Sequence, residues 1–365
     1  MFTLFSISIF SDLRQKLYSE LASDEPIKVS RRHVLADLLR YYSKDDVASS
    51  TIKVTFTDEQ GEDFGGLTQD LFSAFWEQAL DMYFDGEEVK VPFASPSNLH
   101  GSQSTFEAMG KIFSHGFILT GAIPVQFCQS SVMGAFLGSQ RVPEPVLLRD
   151  LFNHVSEREA KVMSIVMSAA GKEDVTDEQE DILFSVFARF EMRIAPVLGE
   201  RLRDQLVKLA RFIFVLRPLC ILQWMVEGIP KNQMEDLWSQ LNQSDFDSLY
   251  EALKPTIPRV LESLHTEGVL KPEEEVAFYY LKDFLANMDQ ELLQRFLRFV
   301  TGRPSASLCP INVCFNRAEG LARTPKAQTC SKCLIISVCY STLSEFKKEF
   351  TNVLFSDEAF EMHSA

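Results

Sequence analysis

Near the end of this 365-residue chain the stretch Thr324-Pro-Lys-Ala-Gln-Thr-Cys330 sets a cysteine after a turn signal and just ahead of an apolar run. A thiol placed there can be reached by a large partner, which suits a covalent acyl carrier better than a buried small-molecule site. Three readings of Cys330 stand together. One is a core cysteine, because free Cys is among the most buried residue types. The second is zinc: Cys309-x4-Cys314 and Cys330-x2-Cys333 have the pairing of a four-thiolate site. Against it, Cys309 and Cys314 fall in an alternating apolar stretch, where residues five apart face opposite ways. The third is a nucleophile, with Lys332 and Arg323 supplying the positive charge that favours a thiolate. None of the six histidines stands in a motif that makes it a base for this thiol.

The bulk composition narrows the surroundings of that thiol. A formal net charge of −15 argues against a groove tracking nucleic-acid phosphates, which needs clustered Lys and Arg. Basic protein partners fit better. Seven cysteines at uneven spacing, five of them from Cys309 to Cys339, do not make a secreted disulfide framework, so a reducing compartment is expected. Met1 to Phe10 is apolar but has no basic leader and runs straight into Ser11-Asp12-Leu13-Arg14, unlike a signal peptide. No run reaches the roughly 20 apolar residues of a membrane span. Apart from the four-cysteine zinc reading, nothing in the pattern calls for a cofactor or a metal.

The elements that must hold these residues are mostly helices. Leu13, Leu17, Tyr18 and Leu21 have helical spacing, as do Val34, Leu35, Leu38 and Leu39 behind Ser30. Ile52 to Phe56 alternates as a half-buried strand and ends in the acidic turn Asp58 to Gly66. A helix follows, with Leu71, Phe72, Phe75, Trp76, Ala79 and Leu80 on one stripe and Thr68 as a cap. Gly65 and Gly66 read as structural, supplying positive φ or close packing at that corner, since one Gly-Gly lacks the phosphate-loop pattern. Phe106, Met109, Ile112 and Phe113 mark one more helix, and Leu147 to Val155 another. Gly171 to Val175 is a polar loop ahead of two helices, 176–195 and 198–216, split by Pro196 and read as a protruding hairpin. Proline and polar residues gather between Lys254 and Gly268, which places a hinge near residue 266. Beyond it, helices over 275–284 and 289–300 stop at Gly302, and the period changes to two over Leu308–Phe315 and Leu334–Val338. A last helix spans 341–354. The final hundred residues thus read as a small α/β unit carrying Cys330.

Three segments together resemble the catalytic domain of HECT-type ubiquitin ligases, from about Ile27 onward. They are Val54-Thr55-Phe56 through Gly61-Glu-Asp-Phe-Gly-Gly-Leu-Thr-Gln-Asp-Leu-Phe72; Met109-Gly110-Lys111 with His115-Gly116-Phe117; and Phe296-Leu-Arg-Phe-Val-Thr-Gly302, followed by Thr329-Cys330, Leu334 and Tyr340. The resemblance implies an α+β, bilobal fold: an N-terminal helical extension over 1–26, a mainly helical N-lobe over 27–265 and a small α/β C-lobe over 266–365. It implies a projecting subdomain over 171–216 that receives a ubiquitin-charged conjugating enzyme, with Phe184, Phe187 and Phe190 as candidate contacts set against the simpler reading as helical core. Cys330 matches the residue that takes ubiquitin as a thioester and passes it to a substrate lysine, which makes the partners ubiquitin, a conjugating enzyme and a protein substrate. Thr329 and Lys332 flank it as supporting residues, and Phe360 is the nearest counterpart of a phenylalanine that sits four residues from the family's C-terminus. The chain departs from the pattern at Gln328, where the family has His, and at Ser331 and Lys332, where it has Phe-Asn. Two further readings remain: a non-catalytic binding module of the same fold and a zinc-stabilised interaction domain. Missing targeting signals place the chain in the cytoplasm, with the nucleus as a second compartment.

Overall fold

The computed structural model describes residues 2–44, 47–57, 66–95, 97, 99–193, 198–306, 310–329 and 331–356. Chain order begins with α1 (Phe2–Glu20), β1 (Ala22–Val29), α2 (Val34–Tyr42) and β2 (Ser50–Phe56). It continues through α3 (Gly66–Tyr83), the two-residue strands β3 (Phe84–Asp85) and β4 (Val91–Pro92), and α4 (Gln103–Thr120). Next come α5 (Gln129–Leu137), α6 (Glu144–His154), α7 (Glu157–Ser168), α8 (Asp177–Arg189), α9 (Gly199–Arg211) with a π-helical turn over Phe212–Leu216, α10 (Leu219–Gly228), α11 (Lys231–Asp236), α12 (Gln243–Leu253) and α13 (Ile257–Ser263). The chain closes with β5 (Leu264–His265), α14 (Pro272–Ala286), α15 (Gln290–Thr301), β6 (Ile311–Asn316), β7 (Lys326–Gln328), β8 (Cys333–Ser337) and α16 (Leu343–Phe355). The fold is α+β with helices dominant. The acidic turn 58–65, Gly65 included, and Pro196 lie outside the described residues.

The chain forms two compact units. The first comprises Met1–Leu17, Glu77–Ser114 and Val125–Ser248. Its helices start where the sequence offers caps: Ser156 and Thr176 each accept the amide of the residue three on, and the Glu159 and Gln179 side chains return the bond. Its core holds Phe113, Phe136, Trp238 and Phe246, with Phe136 and Trp238 stacked at 4.9 Å. The buried Trp238 indole does not waste its N–H: it donates to Ser114 Oγ at 2.8 Å, which donates to Gln233 Oε1 at 2.7 Å. Two glycines let α4 and α10 touch backbone to backbone. A Cβ on Gly110 would lie 1.8 Å from the Met225 carbonyl, and one on Gly228 would lie 2.0 Å from that of Glu107, so only hydrogen fits at either point.

The second unit comprises Tyr18–Trp76, His115–Pro124 and Leu249–Ala365. In it β1 and β2 run parallel, pairing Ile27 with Val54 and Val29 with Phe56. The sequence reading had no strand at Ala22–Val29; its apolar residues are confined to the far end, where Ile27 and Val29 go inward, so no alternation betrays it. A four-stranded sheet has the order β5-β6-β8-β7, in which β5, β6 and β8 are parallel and β7 is antiparallel to β8. Ile311, Val313, Leu334 and Ile336 point from it into a core with Phe284, Phe296, Phe346 and Phe350 from α14, α15 and α16. The buried Asp70 of α3 binds Arg31 and, at 3.5 Å, Arg298 of α15. Gly302 ends α15 in the left-handed conformation, φ 76°, donating to the Arg298 carbonyl. Gly66 is the first residue of α3.

Candidate functional site: the β7–β8 turn

Strands β7 and β8 pair antiparallel, Gln328 opposite Cys333, and residues 329–332 connect them. The Lys332 amide donates to the Thr329 carbonyl at 3.3 Å. Lys332 itself has φ 49°, a left-handed conformation that costs a non-glycine residue about 1–2 kcal/mol. The Lys332 carbonyl accepts the Asn312 amide at 2.9 Å, which ties the end of the turn to β6. Ser331 is exposed and its hydroxyl donates to the Gln328 carbonyl at 3.3 Å, while Thr329 and Lys332 are half-buried. Cys330, Cys309 and Phe360 lie outside the described residues.

Charge around the turn departs from the sequence expectation. Arg323 was expected to support a thiolate, but its guanidinium is engaged by α16: Nε donates to Glu349 at 3.1 Å and Nη2 donates to Glu345 at 2.6 Å and again to Glu349. These bonds push its pKa upward and leave its charge neutralised by two carboxylates. Tyr340 OH donates to the Arg323 carbonyl at 3.0 Å, and the guanidinium lies over its ring; burial, with Glu349 beside it, holds the buried Tyr340 phenol above its ordinary range although the Arg323 charge pulls the other way. Among the described residues Lys332 makes no ion pair, which leaves it as the free cation of the turn in sequence neighbourhood. No group of three or more metal-ligating side chains occurs among the described residues. The structure brings two thiols of the notional zinc set together: Cys333 donates to Cys314 with the sulfurs 3.2 Å apart.

The expected hairpin segment lies in the first unit. Helix α8 packs on α7, and α9 packs on α6 and α7, with Leu202, Leu206, Leu209 and Ala210 fully buried. The apolar face of α9 therefore has a helical wall to cover it. Of the three aromatics named as candidate contacts, Phe187 and Phe190 are buried inside the unit, where the helical-core reading has them. Phe184 is half-buried. The exposed apolar side chains lie just beyond, at Leu216 and Leu219, and at Phe93, whose ring lies 5.3 Å from the Arg217 guanidinium carbon. Phe190 stacks on that same guanidinium at 5.6 Å. The sequence reading missed Phe93 because it stands alone between breaks, outside any periodic run.

A family model described as HECT-domain (ubiquitin-transferase) matches residues 68–363. The chain belongs to the HECT-domain family. The match takes in the β7–β8 turn, Cys330 and the Gly302 helix stop, and begins after the Val54–Leu67 part of the resemblance. HECT domains bind conjugating enzymes, ubiquitin and substrates in general. No protein of curated function matches the chain. Within this HECT domain His115, one of the residues on which the resemblance rested, is a core residue: it is buried, and its Nδ1 shares a hydrogen bond with the Tyr42 hydroxyl at 2.7 Å. Burial lowers its pKa to about 4 and raises that of Tyr42, so both are neutral at pH 7.

Proposed function

We propose that this HECT domain is an active ubiquitin-protein transferase with Cys330 as its acyl carrier. The Cys330 thiolate attacks the thioester carbonyl of a ubiquitin-charged conjugating enzyme, and the conjugating enzyme's cysteine leaves as thiolate. A substrate lysine amine then attacks the new thioester, forms the amide and releases Cys330. What supports the reading is the family match across the segment that holds Cys330, together with its neighbours in sequence, the exposed Ser331 and the half-buried Thr329 and Lys332. Lys332 is the cation that favours the thiolate, and Thr329 is a positioning residue. The lobes are 27–265 and 266–365, with Gly268, left-handed at φ 69° and beside the exposed Val269, in the hinge. The conjugating enzyme docks around Phe93, Leu216 and Leu219, and the chain works in the cytoplasm and nucleus.

A second reading, a binding module that has lost transfer, is favoured by one observation: Arg323 is committed to Glu345 and Glu349, which removes one of the two cations available to a thiolate. A non-reducing assay with activating enzyme, a panel of conjugating enzymes and labelled ubiquitin separates the two. A thiol-sensitive ubiquitin adduct that persists in Cys333→Ala and disappears in Cys330→Ala establishes the transferase. Folded protein that forms no adduct with any conjugating enzyme establishes the binding module.

A further inference from the structure

We infer that Cys314 and Cys333 are a reversible oxidation site, a dithiol that a hydroperoxide closes to a disulfide across β6 and β8. The inference stands whether or not Cys330 carries ubiquitin. On β6, Ile311 and Val313 face the core and Cys314 is exposed; on β8, Leu334 and Ile336 face the core and Cys333 is half-buried. Alternation therefore puts both thiols on the outer face of the same sheet. The parallel register pairs Asn312 with Cys333 and Cys314 with Ile335, so the two cysteines are diagonal neighbours, and the Cys333 thiol spans the diagonal to donate to Cys314 Sγ at 3.2 Å.

The two sulfurs have different roles. Cys314 is the exposed one and receives the hydrogen bond, so a peroxide reaches it first. Cys333 sits against Cys314 and near Glu267, and burial and these neighbours push its thiol up to about 12, so it waits protonated. The Cys314 thiolate attacks a peroxide oxygen, takes up that oxygen as sulfenic acid and releases an alcohol or water. Cys333 then attacks the sulfenic sulfur; its proton and the sulfenic hydroxyl leave together as water. The peroxide is reduced by two electrons and the two thiols are oxidised by two. Bond formation brings the sulfurs about 1.1 Å closer, to the ~2.05 Å of a disulfide. A small thiol returns the product to the two cysteines by thiol–disulfide exchange.

The test treats the full chain with hydrogen peroxide, alkylates the remaining thiols, digests with trypsin and reads the linked peptides by mass spectrometry. Cleavage after Lys332 separates Cys330 from Cys333, and fragment spectra separate Cys314 from Cys309 and Cys333 from Cys339. The expected result is loss of two alkylatable thiols per chain, a Cys314–Cys333 link, and recovery of both thiols with dithiothreitol. In Cys314→Ser, with an unchanged far-ultraviolet spectrum, Cys333 should stay fully alkylatable. A Cys333 linked to Cys330, or Cys314 and Cys333 both still alkylatable after the exposed Cys220 has oxidised, overturns the inference.

Discussion

Replacing Asp70 by Asn keeps the shape of the side chain and removes the only charge between Arg31 and Arg298 that this carboxylate supplies. Asp70 is 3 % exposed. At 3.5 Å, the Arg298 contact is worth about 5 kcal/mol of gross Coulomb energy at an effective dielectric of ~20. Desolvation offsets much of that, and truncating one partner of a buried pair costs about 3–5 kcal/mol. The arginine side chains are 25 % and 19 % exposed, so solvent screens both cations and places the expectation near the lower figure, about 3 kcal/mol. Native-state hydrogen exchange at the α3 and α15 amides reads this directly, without assuming that the whole chain unfolds in one step. Removing Arg298 as well should relieve part of the penalty, so Asp70→Asn with Arg298→Met should show a coupling of about 1–2 kcal/mol in a double-mutant cycle. A loss below about 1 kcal/mol, or strict additivity of the two changes, would refute the view that this ion pair joins α3 to α15.

His115 makes stability fall with acid. Its folded pKa of about 4 lies below the ordinary 6.5, so its contribution is complete above about pH 6.5 and is lost as pH falls toward 4. The expected loss is about 3 kcal/mol, and urea titrations from pH 7 to 4 should show it in wild type and a flatter profile in His115→Gln. At the α4–α10 crossing, Gly110→Ala and Gly228→Ala should each cost about 3 kcal/mol by forcing backbones apart; thermal unfolding that matches wild type would count against the contact. Phe93→Ala and Leu216→Ala should each slow charging by a conjugating enzyme about five- to tenfold while leaving thermal stability unchanged, because both side chains are exposed; unaltered charging kinetics would move the docking surface elsewhere.

Most helices could be read from spacing alone, and their ends from a few residues. Asp289 caps α15 and Gly302 stops it, Thr342 caps α16, and Pro272 opens α14; each acts through local backbone geometry that the sequence states outright. Strands were legible only where one face alternates, as in β2, β6 and β8. Strands β1, β5 and β7 were not, because each is held by its partner and not by its own pattern. The aromatic stripe of α8 shows the same limit, since period identifies the face of a helix but not whether another helix covers it.

Composition, local periodicity and the three family segments were thus enough to determine a helix-dominated α+β HECT domain and to make Cys330 the proposed acyl carrier. Tertiary structure alone decided which charges and thiols meet. Asp70 belongs to one of those segments and Arg298 to another, 228 residues apart in number, and only the folded second unit makes them an ion pair. Arg323 is near Cys330 in sequence yet spends its charge on α16, and Cys314 and Cys333 become neighbours through strand register. Side-chain partnership over such separations depends on where the backbone returns, and no local signal in the chain encodes that.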